Sequence, residues 1–168
     1  MLTYEVVSKA LKYNKASGDL KWSEEFHKRF AGKLAGSRTK TGYVELSLKR
    51  HRLYAHRIAW LLHYKEWPKG QIDHINGRRS DNRIENLREV DSAENKKNSK
   101  MHKGNSSGAQ GVYFNKRAKK WQAYITVDYK TIYLGVFRFI EDAKTARKEA
   151  EVEYGFHKNH GRVNVGQL

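Results

Sequence analysis

Within residues 71 to 98, "QIDHINGRRSDNRIENLREVDSAENKKN", an aspartate and a histidine stand side by side at the end of a strand-like run. Asparagines follow at 76, 82, 86, 95 and 98. The stretch contains no bulky aromatic residue. These residue types suit phosphodiester hydrolysis, which needs a base to activate water and a cation to hold phosphate and leaving oxygen. Asp73 offers a hard oxygen ligand and Asn95 a neutral one, a set that favours Mg²⁺ or Mn²⁺ over Zn²⁺. His74, as a neutral imidazole near neutral pH, can take a proton from water. Neighbours on a strand point to opposite faces, so the two side chains should diverge.

These residues need a scaffold, and the local pattern supplies one. "QIDH" reads as a strand, "INGRRSDNRIEN" as a loop and "LREV" as a second strand. "DSAENKKNS" then starts a helix with a capping box between Asp91 and Glu94. Asn95 falls at the fourth helical position, where an apolar residue would normally staple back to Val90. An amide at that position points to a role other than packing. Upstream, "GYVELSLK" alternates as a half-buried strand, with Val44, Leu46 and Leu48 on one face. "YAHRIAWLLHY" reads as a helix that ends before Pro68, with Trp60 and Trp67 expected in the core. His56 and Arg57 are expected to pack beside the hairpin or touch phosphate.

The segment resembles the HNH nucleases, in the branch common among phage-encoded and intron-encoded homing endonucleases. The resemblance rests on "IDHINGRRSDNRIENLREVDSAEN" and its lead-in "YAHRIAWLLHYKEWPKG". It implies a ββα-metal fold with Asp73 and Asn95 as metal ligands and His74 as general base. Asn86 would tie the hairpin loop together and orient that base. The last histidine of the family's name is Asn95 here, which leaves Asn98 as a possible substitute ligand.

Residues 97 to 108, "KNSKMHKGNSSG", read as an exposed basic stretch, and 99 to 108 are taken as a flexible linker. The expected domains are therefore a nuclease domain over 1 to 98, with its core motif at 71 to 98, and a second domain over 109 to 168. The second domain should hold three short strands and one helix. Trp121, Ala123, Ile125 and Val127 share an inner face with Val112, Phe114, Ile132, Leu134 and Val136. Outward lie Tyr113, Asn115, Gln122, Tyr124, Thr126, Tyr133 and Phe137, flanked by Lys116, Arg117, Lys119, Lys120 and Arg138. A stripe of Ala143, Ala146 and Ala150 suits close packing of the helix, and Gly155 should stop it. Charge separates the two sides. Residues 105 to 138 are basic apart from Asp128, whereas the helix carries Glu141, Asp142, Glu149, Glu151 and Glu153.

This module resembles the AP2 DNA-binding domain, on the residues "GVYFNKRAKKWQAYITVDYKTIYLGVF". The resemblance implies groove reading from Tyr113, Tyr124, Thr126 and Tyr133. Asn115, Gln122 and the flanking cations would supply further base and phosphate contacts. His157 and His160 have metal-like spacing, but a solvated tail is the expected setting.

Composition agrees with a polyanionic partner. The chain has 168 residues, with 34 Lys and Arg against 18 Asp and Glu, a net charge of +16. Such an excess makes nucleic acid the leading partner and an anionic membrane the runner-up; with the two resemblances the expected partner is double-stranded DNA, with no membrane. No cysteine is present, which excludes disulfides and thiolate zinc sites. The longest apolar run, 58 to 62, is far below a membrane span. The first fifteen residues lack the apolar core of a signal peptide. The expected setting is thus the compartment of synthesis, host cytoplasm for a phage-encoded chain. A single motif per chain fits a monomer that nicks one strand. The expected fold class is α+β and the expected activity a metal-dependent DNA endonuclease of the homing type. The competing expectation is a non-catalytic DNA-binding regulator on a degenerate nuclease scaffold.

Overall fold

The computed structural model describes residues 2 to 102 and 104 to 162, with the side chain of Ala93 left aside. The chain is a mixed α/β protein that divides into two compact units, Met1–Asp91 and Ser92–Leu168. Among the described residues, no helix is long and apolar enough to cross a membrane.

The first unit is built on two helices and three small antiparallel sheets. Helix α1 (Tyr4–Ala10) leads into β1 (Leu11–Tyr13), which pairs with β2 (Leu20–Trp22). Strands β3 (Ser37–Arg38), β4 (Val44–Leu48) and β5 (His51–Tyr54) form a sheet in sequence order. Along β4, Leu46 and Leu48 are buried, as the alternation required, and Val44 packs against the same core. Helix α2 (Ala55–Tyr64) has two working faces. Ile58 and Leu61 join Val7, Leu11, Leu20 and Leu48 in the main core. Ala59 instead meets Ile72 and Leu87 of the hairpin formed by β6 (Gln71–His74) and β7 (Leu87–Val90). Trp60 packs against that second cluster and Trp67 against the main core, each half-buried. The helix stops at Lys65, which takes a left-handed conformation (φ 62°), three residues before Pro68.

In the second unit, α3 (Ser92–Lys96) is a single short helix that begins directly after Asp91. Strands β8 (Val112–Asn115), β9 (Lys120–Val127) and β10 (Lys130–Phe137) make an antiparallel sheet with β9 in the centre. Helix α4 (Ile140–Glu153) covers one face, with Ala143 meeting Val112 and Ala123. The helix ends at Tyr154, and Gly155 adopts φ 65° just beyond it.

Three details depart from the sequence reading. A β-bulge lies between Tyr133 and Gly135, so Gly135 pairs with Ala123 and the alternation flips after it. Phe137 therefore packs in the core and Val136 is exposed, the reverse of the expected arrangement. Phe114 lies against Trp121 but is 45% exposed, since β8 is an edge strand among the described residues. On α4, Ala143 and Ala150 are buried as expected, and with them Arg147 and Glu151. Arg147 donates from Nε to the Gln110 carbonyl (2.8 Å), pairs with Glu151 (3.4 Å) and meets His160 Nε2 at 3.2 Å. His160 is thus buried against α4 rather than solvated, with its side chain 4% exposed.

Residues 97 to 108, read as a basic stretch, carry specific bonds. The Lys97 and Ser99 carbonyls accept from the amides of His157 and Gly161. Asn105 closes a turn by accepting from the Gly108 amide (2.8 Å) and donating to the Ala109 carbonyl (2.8 Å).

Two glycines differ sharply in what they tolerate. A Cβ on Gly111 (φ +72°) would stand 2.1 Å from the Tyr124 carbonyl oxygen, whereas one on Gly108 (φ +76°) meets nothing within 4 Å. Gly108→Ala should cost about 1 kcal/mol from the left-handed backbone alone. Gly111→Ala should cost about 3 kcal/mol or more, since strain and backbone overlap add. Thermal unfolding of the two variants checks this; equal losses would contradict the packing described.

Candidate active site

The site sits at the mouth of the β6–β7 hairpin. The two strands pair Asp73 with Arg88 and His74 with Leu87. Arg57, one turn into α2, donates to the carbonyls of Pro68 and Gly70, both at 3.1 Å, and so fixes the chain where it enters β6. His56 and Arg57 thus both pack at the hairpin.

The loop between the strands is held by Asn86. Its Oδ1 accepts from the Asn76 amide (2.9 Å) and its Nδ2 donates to the Asp81 carbonyl (2.8 Å). One buried side chain therefore bridges the two limbs of the loop. Asp81 adds a second brace, accepting from Asn76 Nδ2 (2.7 Å) and from two nitrogens of Arg83 (both 2.9 Å). Those bonds, Arg83 foremost, hold the Asp81 carboxyl down at about 2, so it stays charged in neutral solution.

This loop carries Asn82 to His74, where Asn82 Oδ1 lies 3.2 Å from the ring's Nε2. Burial lowers the His74 pKa, against the opposing pull of Asn82, Asp73 and Asp81. The ring is therefore neutral at physiological pH, the form a general base requires. Tyr13 locks Asn82 from the other side, donating its hydroxyl to the Asn82 carbonyl at 2.7 Å. Burial raises the Tyr13 phenol to about 12, so it remains a donor.

An aromatic wall surrounds His74. Its ring meets His56 edge-on at 5.2 Å and Tyr43 at 5.9 Å, and Tyr43 also carries the Arg79 guanidinium 4.7 Å above its face. His56 is buried, and its Nδ1 has no hydrogen-bond partner among the described residues. Asn82, Tyr13 and Tyr43 were not singled out from the sequence. Asn82 lay within the polar stretch and could have been; Tyr13 is 69 positions away and gives no local signal.

Asp73 is buried in the strand, and Arg88 donates to its Oδ2 from both Nε (3.1 Å) and Nη2 (2.9 Å). No group of three His, Cys, Asp or Glu side chains gathers as a metal site among the described residues. A hard divalent ion needs only one or two protein oxygens, the rest coming from water and phosphate, so an Asp and an Asn suffice chemically. Asn95 stands on α3, in the second unit. Asn98 is buried in the second unit, where its Oδ1 accepts from Arg162 (2.9 Å). A guanidinium on that oxygen makes Asn98 a poor substitute ligand.

On the sheet of the second unit, Tyr113, Tyr124 and Tyr133 stand in a row across the three strands. Their ring centroids are 5.2 Å and 5.0 Å apart, and the first pair is parallel within 7°. The Tyr124 phenol beside it, with lesser burial, pushes Tyr113 up to about 12. Asn115 donates to Gln122 (3.3 Å), and Thr126 meets Thr131 at 3.1 Å. Lys116, Arg117, Lys119, Lys120 and Arg138 are exposed around this face.

Residues 53–97 match the family model of the HNH endonucleases. The matched HNH endonuclease segment covers α2, the β6–β7 hairpin and α3, with Asp73, His74, Asn82, Asn86 and Arg88 inside it and Tyr13 and Tyr43 outside it. The chain is also 38% identical over 64 residues to Protein 3.8 of Escherichia phage T7, a stretch covering 38% of this chain. The match spans about half (53%) of that relative's length. No solved structure matches the chain.

Burial above all, with the nearby His74 and the Arg57 guanidinium, lowers the pKa of His56 from 6.5 to about 3. The unfolded chain protonates this ring near 6.5 while the folded unit refuses the proton, so stability is full above 6.5 and lost as pH falls toward 3. The melting temperature should accordingly drop across that window, and His56→Phe should flatten the drop. A variant with the parent's full acid sensitivity would contradict the buried neutral ring.

Proposed function

We propose that the chain is a metal-dependent DNA endonuclease, of the homing type, that hydrolyses one phosphodiester bond per encounter. The observation that carries this reading is the buried neutral His74 beside Asp73, on a hairpin cross-tied by Asn86, inside the HNH-matched segment. His74 takes the proton from the attacking water. Asn82 orients its ring, and Asn86 keeps Asn82 in reach. Asp73 and Asn95 would hold a Mg²⁺ or Mn²⁺ ion, which supplies charge neutralisation at the scissile phosphate and the departing oxygen. Arg88, already on Asp73, keeps the carboxylate aligned.

The second unit serves as an AP2-like targeting domain for double-stranded DNA. The tyrosine row supports a duplex partner on physical grounds. Its exposed phenol hydroxyls can donate to or accept from base edges in a groove. Tyr113, Tyr124, Thr126 and Tyr133, with Asn115 and Gln122, form the reading face. Lys116, Arg117, Lys119, Lys120 and Arg138 take phosphates.

The Arg88–Asp73 pair also favours a second reading, a DNA-binding regulator without catalysis, since the guanidinium neutralises the carboxylate without any ion. Incubation with mixed viral DNA separates the two. The nuclease reading expects cutting that Mg²⁺ supports and chelation abolishes. His74→Ala should lower the rate by about a hundredfold or more while DNA binding persists. A parent protein that binds DNA but never cuts it would establish the regulator.

A further inference from the structure

The first unit carries an aromatic projection that the hairpin chemistry does not use. Between β2 and β3 the chain leaves and re-enters at one point: the Trp22 amide donates to the Lys33 carbonyl (3.0 Å), and the Gly32 amide to the Trp22 carbonyl (2.9 Å). Ser23 anchors the start of this closed loop, bonding through its amide to the Ala10 carbonyl (2.9 Å) and through its hydroxyl to the Lys9 carbonyl. A 3₁₀ turn, Lys28–Phe30, shapes its far side.

The loop turns apolar groups outward. Phe26 and Phe30 are each 38% exposed, and Leu34 just beyond is 63% exposed. The rings are braced rather than loose. Phe26 stacks on Trp22 at 6.1 Å and 13°, and Phe30 meets His27 edge-on at 4.6 Å. Cations stand beside them: the Arg29 guanidinium lies 5.7 Å and the Lys33 ammonium 5.5 Å from the Phe30 ring. From 21 to 40 the sequence holds Lys21, Lys28, Arg29, Lys33, Arg38 and Lys40 against Glu24 and Glu25. Exposed aromatic faces gain nothing from water, and a basic rim disfavours a basic partner. A single nucleic-acid strand offers both complements, flat base faces and a line of phosphates.

We infer that the loop spanning residues 23 to 33 is a stacking platform for unpaired bases of the DNA on which the protein acts. Phe26 and Phe30 receive base faces, and Lys28, Arg29 and Lys33 take the adjoining phosphates. The inference rests on the reading of the chain as a DNA-acting protein. It adds that the first unit engages strand-separated or distorted DNA, whereas the sheet of the second unit engages duplex.

The test uses the full-length protein with chelator present, so that binding is read apart from cutting. Fluorescence anisotropy follows a mixed-sequence single strand of about twenty nucleotides, and the duplex of the same sequence. The double variant Phe26→Ala/Phe30→Ala alters exposed side chains; circular dichroism confirms that it folds. It should lose about tenfold in single-strand affinity with the salt slope unchanged and duplex affinity nearly kept. Lys28→Gln/Arg29→Gln/Lys33→Gln should weaken binding and flatten the salt dependence. A double variant that binds the single strand as the parent does would overturn the platform and leave the loop as a surface for an acidic protein. Its outcome is independent of the nuclease reading. A parent that never cuts DNA, yet loses single-strand affinity on Phe26→Ala/Phe30→Ala, would keep the platform and remove the catalysis.

Discussion

The two hydrogen bonds of the Asn86 carboxamide constrain everything around the site. They join limbs of a loop that has no regular ladder of its own, one bond to each side. Only with the loop closed does Asn82 reach His74, and only then does the Tyr13 hydroxyl find the Asn82 carbonyl. A buried amide with both ends satisfied costs little, but breaking one bond strands a polar group away from water at about 1–3 kcal/mol. The loop is thus held by an all-or-none arrangement, which suits a side chain that must keep one ring in one orientation.

Electrostatics follow from that closure. His56 and His74 lie ring to ring, and burial keeps both pKa values below the usual imidazole value. Two charged rings at that separation would repel, so burial spares the site a conflict as well as supplying a neutral base. Asp81 remains ionised because Arg83 pairs with it, and Asp73 is paired with Arg88. Both carboxylates are therefore held in fixed orientation by guanidinium partners.

Much of this was legible in the residues. The polar stretch announced strand, loop and strand, and the structure has them at Gln71–His74 and Leu87–Val90. The 3.6-residue spacing of Ile58, Leu61 and Leu62 announced α2. Local pattern could not announce contacts between distant segments. Tyr13 reaches Asn82 through tertiary packing, and Gly18 lies so close to the Asn82–Arg83 backbone that any Cβ there would clash at 2.6 Å. The bulge before Gly135 was hidden for another reason: strict alternation continues on paper, while the glycine lets the backbone take the extra residue and exchange the faces of Val136 and Phe137. Arg147 and Glu151 sat in a helix read by its alanines, and a buried ion pair carries no periodic signal.

The central claim is that a cross-tied loop holds His74 ready for proton transfer, and Asn86→Ala tests it most directly. At saturating DNA and Mg²⁺, with circular dichroism showing the unit folded, the cleavage rate should fall by about tenfold or more while DNA affinity holds. A folded Asn86→Ala protein that cuts at the parent's rate would contradict the account.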